Sequence, residues 1–172
     1  SLKAGIKPII GCEIYVSVTG HKDRKLITDD YGKRRNYYHL VLLAMNQAGY
    51  KNLLSLTSIG YLNGFYYRPR VDKELLREFN EGLIATSACL AGEVTTHAAK
   101  GNYEKAKKAA LSYQAIFPDR FYLEMQDHQI ADEKSSHVIL KKLSKELNLP
   151  LIATNDCHYC LKEHSDAHDV LF

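Results

Sequence analysis

The sequence predicts an α/β fold with a largely parallel sheet, and three observations carry that prediction. Short apolar runs alternate with segments of helical periodicity along the chain, the pattern of strands followed by helices. The composition, 45% hydrophobic and 25% charged with 10 Gly and 4 Pro over 172 residues, is that of a globular chain and not of a disordered, collagenous or coiled-coil one. Metal-ligand residue types then recur just beyond the apolar runs, where parallel α/β folds gather their chemistry. A closed eight-fold barrel takes about 250 residues, so this length fits most of a smaller barrel that lacks its first strands.

Taken in order, residues 1–5 read as the last turn of a helix, with Gly5 at the C′ position and Pro8 just beyond. Strands are expected at 8–16, 39–44, 83–86, 121–124 and 151–154. Helices are expected at about 46–61, 73–78, 93–99, 103–117 and 132–147. Residues 21–36 are rich in Lys and Arg, with Asp29 and Asp30 interleaved, and show no periodicity. They read as a solvated hairpin tip or mobile loop, with contact to DNA as the alternative. Residues 163–172 read as a last helix, with Leu161, His164, Ala167, His168 and Leu171 at helical spacing and no cap after it. The two ends together lead us to expect a single domain, 1–172, cut from a longer polypeptide.

The formal charge of +3 is too small to argue for nucleic acid or a membrane surface by itself. No apolar run approaches the roughly 18 to 20 residues that span a bilayer, and no signal-peptide pattern is present, so a cytoplasmic location is expected. Four Cys at this length favour reduced thiols or metal ligands over a disulfide framework. Neither a Walker-type nor a dinucleotide glycine fingerprint occurs, which disfavours P-loop and Rossmann sites.

Glu13, Cys89, Glu124 and the Asp156-Cys157-His158 step each follow or end an apolar run. Such a set would converge on one rim. An Asp-x-His step can offer a carboxylate oxygen and an imidazole nitrogen on one face, a pair suited to Zn, Mn or Fe. Alternatively, Asp156 caps the next element and His158 packs against Tyr159. Cys157 and Cys160 form a CxxC without the second CxxC of a structural zinc ribbon. By itself His39, which opens an apolar run, reads as a structural histidine, and Cys89 as a small buried hydrophobe. Glu124 and His128 could join the rim, act as acid and base, or form a strand-end salt bridge. His97, His137, His164 and His168 fall on predicted helices and read as surface or core residues. Arg68-Pro69-Arg70, after Gly64-Phe65-Tyr66-Tyr67, could stack bases but reads better as a packed turn.

Five stretches in order carry a resemblance. They are 5–13 (GIKPIIGCE), 39–44 (HLVLLA) with Asn46 and 49–53 (GYKNL), 64–67 (GFYY) with Pro69 and Arg70, 87–93 (SACLAGE), and 153–159 (ATNDCHY). Together they resemble the PHP (polymerase and histidinol phosphatase) domain of bacterial replicative DNA polymerase III alpha subunits, over nearly the whole chain. The resemblance implies a PHP-type distorted (β/α)7 barrel, incomplete in this sequence, whose rim holds up to three divalent metal ions, often zinc, with manganese or iron as alternatives. Matched by motif, Glu13, His39, Cys89, Asp156 and His158 would be metal ligands, and Glu124 and His128 could support them from behind. The family's His-x-His and Thr-Asp-His-type motifs have no counterpart here. The resemblance further implies a phosphoesterase acting as a 3′ to 5′ exonuclease or pyrophosphatase. In relatives with a degraded ligand set it implies instead a scaffold that docks the proofreading exonuclease subunit. DNA and other replicase subunits would be partners of the whole polymerase, whose own Mg site lies in a separate domain; no membrane is implied.

Overall fold

The computed structural model describes residues 1–171. After a 3-10 turn at Leu2–Ala4 come β1 (Gly11–Ser17), β2 (Ile27–Thr28), β3 (Arg34–Arg35), β4 (Tyr37–Ala44) and α1 (Gln47–Leu62). Next are β5 (Phe65–Tyr66), β6 (Arg68–Val71), α2 (Lys73–Glu78), β7 (Leu83–Thr86), α3 (Glu93–Ala99) and α4 (Tyr103–Ile116). The chain then forms β8 (Phe121–Met125), α5 (Ala131–Leu147), β9 (Leu151–Ala153), a 3-10 turn at Lys162–His164 and α6 (Ser165–Leu171). The expected last helix is therefore split in two, and Phe172 lies outside the described residues.

The main sheet has seven strands in the order β5-β6-β1-β4-β7-β8-β9, open at both ends among the described residues. Three pairs are parallel: β1 with β6, β7 with β8, and β8 with β9. Antiparallel pairs join β5 to β6 and link β1, β4 and β7, so the sheet is mixed and not uniformly parallel. β1 starts later than expected: Pro8 has no amide to give a ladder, and Ile9 and Ile10 stay exposed. β5 and β6 escaped the sequence reading because they are short and Pro69 interrupts the strand pattern.

Alternation along β1 and β4 sends Ile14, Val16, Leu40 and Leu42 into the core, where β7 and β8 add Leu83, Ala85, Phe121 and Leu123. Each of these Val, Leu, Ile and Phe side chains contributes roughly 1.5 to 3 kcal/mol of transfer free energy. Leu53 and Leu56 of α1 and Leu140 and Leu143 of α5 close the same cluster. Local signals start the helices: Asn46, Asp72 and Asn102 each cap a helix by accepting a main-chain N–H three residues on.

The basic segment forms the β2–β3 hairpin and is tied down at several points. Tyr31 Oη lies 2.9 Å from His97 Nδ1, Lys105 pairs with Asp30, and Arg35 donates to Asp29 at 2.8 Å. Arg70 is fully buried; it donates to the carbonyls of Gly64, His21 and Asp23 and lies over the Tyr66 ring. Arg68-Pro69-Arg70 is thus part of strand β6 and not the packed turn expected, and its Arg70 serves packing.

Candidate metal centre

Glu13 on β1 pairs opposite Val41 on β4, and His39 pairs opposite Tyr15. That register puts Glu13 and His39 on a diagonal of one face, the face turned away from Ile14 and Leu40. His39 Nδ1 donates to Glu13 Oε1 at 3.0 Å. Tyr37 stacks on the His39 ring, with 5.9 Å between centroids, and Tyr15 meets it edge-on at 5.2 Å. The imidazole plane is therefore fixed by two aromatic neighbours and a carboxylate.

Cys89 arrives from β7 through a strained turn. Ala88 adopts a left-handed conformation, φ 58°, which costs a residue with a Cβ free energy. Gly92 closes the turn, its N–H donating to Cys89 O, and a Cβ there would stand 1.9 Å from Ser87 O. The His39 N–H donates to Ala91 O at 3.1 Å, fastening the turn to β4. As a result Cys89 Sγ lies 3.8 Å from His39 Nδ1.

Donor atoms of Glu13, His39 and Cys89 all lie within 4.8 Å of one another. Carboxylate oxygen, imidazole nitrogen and thiolate sulfur make a mixed donor set that suits a divalent transition ion such as zinc. Burial disfavours the imidazolium, yet the hydrogen bonds with Cys89 and Glu13 and the Glu13 charge prevail and carry His39 up to about 9. Glu13 supplies the closer contact of the two. Its carboxyl is held below the usual glutamate value by the His39 hydrogen bond, against burial, with further pull from the His39 and His158 charges. A cation entering here would displace the imidazolium proton.

Asp156 and His158, matched to the same site by motif, stand outside this group of donors. Asp156 has φ 49°, and His158 Nδ1 lies 2.7 Å from the Asp156 carbonyl oxygen. Asp156 leaves the extended backbone of β9, so the alternating strand projection does not run through the Asp-x-His step. His158 is near enough for its charge to act on Glu13. Cys157 and Cys160 are exposed, with free thiols.

Glu124 and His128 do not act as a pair. Glu124, only 6% exposed, accepts from the hydroxyls of Thr86 and Thr154 and from Gln126 Nε2 at 3.0 Å. Its own N–H donates to Ser87 Oγ at 2.8 Å. No cation pairs with it among the described residues, so the strand-end salt bridge is replaced by neutral donors. His128 instead pairs with Glu133 at 2.7 Å, and its Nε2 lies 2.9 Å from Asn155 O. Sequence reasoning missed Thr86, Ser87 and Thr154; their recurrence at strand ends next to Cys89 and Asp156 was the available signal. Of the helical histidines, His97 is buried and His137 reaches the Gln126 carbonyl oxygen at 2.9 Å. No helix among the described residues is long and apolar enough to cross a membrane.

The PHP domain family matches residues 1–128. A DNA polymerase III subunit alpha from Borreliella burgdorferi is 49% identical over 169 residues, covering 98% of this chain and 14% of the relative. Proteins of the same name from Campylobacter jejuni and Thermus aquaticus are 46% and 42% identical, covering 96% and 97% of this chain and 14% and 13% of the relatives. The chain thus spans about 14% of the length of the curated relatives it matches.

Proposed function

The chain belongs to the PHP domain family, and from that premise we propose that it is the PHP domain of a bacterial replicative polymerase, with a metal-dependent phosphoesterase site at Glu13, His39 and Cys89. The observation that carries the reading is the mutual approach of three chemically different donors within 4.8 Å on one sheet face. Asp156 and His158 are assigned as further ligands, and zinc as the metal, with manganese or iron as alternatives. When bound, such an ion acidifies water and neutralises charge on phosphorus oxygens. The protein's own part is to orient and to hold protons. Glu13 fixes the His39 ring through Nδ1 and Tyr37 keeps it from rotating. The Ala88–Gly92 turn sets the depth of Cys89. The reaction is hydrolysis of a phosphate ester or anhydride, as a 3′ to 5′ exonuclease or a pyrophosphatase.

For the whole protein we propose template-directed DNA synthesis at a magnesium site outside these residues. Its partners are DNA, the proofreading exonuclease subunit and other replicase subunits, and its location is the cytoplasm. A second reading, a scaffold without catalysis that docks the exonuclease, is favoured by Asp156 and His158 standing apart from the donor group. Nuclease and pyrophosphatase assays of the full-length protein, with its polymerase carboxylates disabled, separate the two. The hydrolytic reading expects bound metal and hydrolysis to fall together in Asp156→Ala and His158→Ala while folding is kept. A metal-free protein without hydrolysis, whose Asp156→Ala and His158→Ala variants synthesise DNA normally when the polymerase carboxylates are intact, would favour the scaffold.

A further inference from the structure

A cavity of about 350 Å³ opens between the β2–β3 hairpin and His39, lined among others by Lys33, Arg34, Tyr37 and Tyr67. No acidic residue lines it. Arg35, also on the wall, is answered by Asp29, whereas Lys33 and Arg34 have no ion-pair partner among the described residues. Two unneutralised cations converge on one cavity in a chain whose net charge is only +3. Such a wall attracts an anion.

The aromatic residues narrow the choice of anion. Tyr67, between β5 and β6, has φ 60°, a conformation that a bulky side chain rarely adopts. Tyr67 is 68% exposed while lining the cavity, so part of it remains open to a ligand. Asn36 Nδ2 donates to Tyr66 O at 3.3 Å and ties the segment after β3 to the residue next to Tyr67, which with Arg34 lines the opening. On the inner side Tyr37 stacks on His39. The cavity volume falls in the range of small-ligand pockets. Cations beside exposed aromatic faces are the elements by which proteins hold single nucleotides, phosphate on the charge and base on the ring.

We propose that this cavity is a nucleotide subsite, in which Lys33 and Arg34 hold a phosphate and Tyr67 and Tyr37 flank the base. Its role as a substrate site rests on the hydrolytic reading of Glu13, His39 and Cys89, because His39 belongs to both. A nucleotide held there lies beside the donor cluster, so the scissile phosphate joins two nucleotides. Pyrophosphate has no ring for either tyrosine. The subsite therefore favours strand-end hydrolysis over pyrophosphate hydrolysis, and it gives the basic hairpin a function beyond solvation.

The test is photolabelling of the metal-stripped full-length protein with 8-azido-dAMP, followed by peptide mapping, which separates this cavity from the polymerase site. Label is expected on peptides containing Tyr37 or Tyr67, displaced by dAMP at about tenfold lower concentration than by deoxyribose 5-phosphate. Arg34→Ala and Tyr67→Asn should each weaken that label about tenfold or more; asparagine tolerates the left-handed conformation and spares the fold. Equal displacement by deoxyribose 5-phosphate, or label confined to other peptides, overturns the nucleotide assignment. Label as expected in a protein without hydrolytic activity would instead overturn the phosphoesterase reading and leave the subsite standing.

Discussion

Glu13 and Glu124 occupy one sheet, with β4 and β7 between their strands, and the protein uses them in opposite ways. Glu124 is enclosed, and three neutral donors, from β7 and from the residues just after β8 and β9, occupy its oxygens. Glu13 keeps 36% of its side chain exposed and meets one cationic partner, His39. A carboxylate whose acceptor capacity is filled by fixed hydroxyls joins strands; one with open lone pairs beside an imidazole and a thiol can receive a metal. The donor count around each group, and not its place at a strand end, separates structure from chemistry.

Replacing the enclosed group should give the largest effect. Glu124→Leu leaves the Thr86, Thr154 and Gln126 donors without their acceptor, and we expect a loss of about 3 kcal/mol in urea unfolding. A change under about 0.5 kcal/mol would mean that the donors find other partners and that the clasp is incidental. Removing one donor at a time, in Thr86→Val or Thr154→Val, should cost about 1 kcal/mol each, and equal stability of the wild type and the double variant would contradict the enclosure argument.

Asp72 lies between these extremes, since it caps α2 through Leu75 N–H and also faces His21, with Nδ1 to Oδ2 at 2.5 Å. Burial raises its carboxyl, but the Leu75 and His21 amides and the His21 ring outweigh that and hold it below the ordinary value of 3.8. A depressed acid stabilises the fold above its unfolded-state value, and that contribution is lost as pH falls through the lower folded-state value. Asp72→Asn should therefore cost about 1 kcal/mol at neutral pH and flatten the acid limb of a stability profile. An unchanged acid limb would assign the stabilisation to the neutral cap alone. The smallest stability effect is expected for Glu13→Gln in metal-stripped protein, within about 0.5 kcal/mol, because water already reaches this group.

Periodicity made most of the fold legible. The bounds 73–78, 83–86 and 93–99 agree with α2, β7 and α3, where capping residues and apolar runs coincide. It failed where tertiary contacts decide the outcome. β6 contains a proline and two arginines, and its Arg70 is buried because the carbonyls of Gly64, His21 and Asp23 accept its N–H groups. In the site, Glu13 and Cys89 were legible as ligand types beyond apolar runs, and His39 only through the family resemblance; strand register and a glycine-closed turn, neither of them visible in the sequence, bring the three together. The Asp156 and His158 geometry was not, since a positive φ after β9 has no periodic signature. Glu124 was misjudged for a related reason. The hydroxyls that fill it come from residues 38 and 30 positions away along the chain.

The measurement that bears most directly on the central claim is metal content by elemental analysis of the full-length protein, with Glu13→Gln beside Glu124→Gln and unfolding followed on the same samples after metal removal. The account predicts metal lost in Glu13→Gln with the stability of the metal-stripped protein unchanged, and metal retained in Glu124→Gln at reduced stability of the metal-stripped protein. Full metal content in Glu13→Gln, or metal lost only in proportion to stability in both variants, would contradict it.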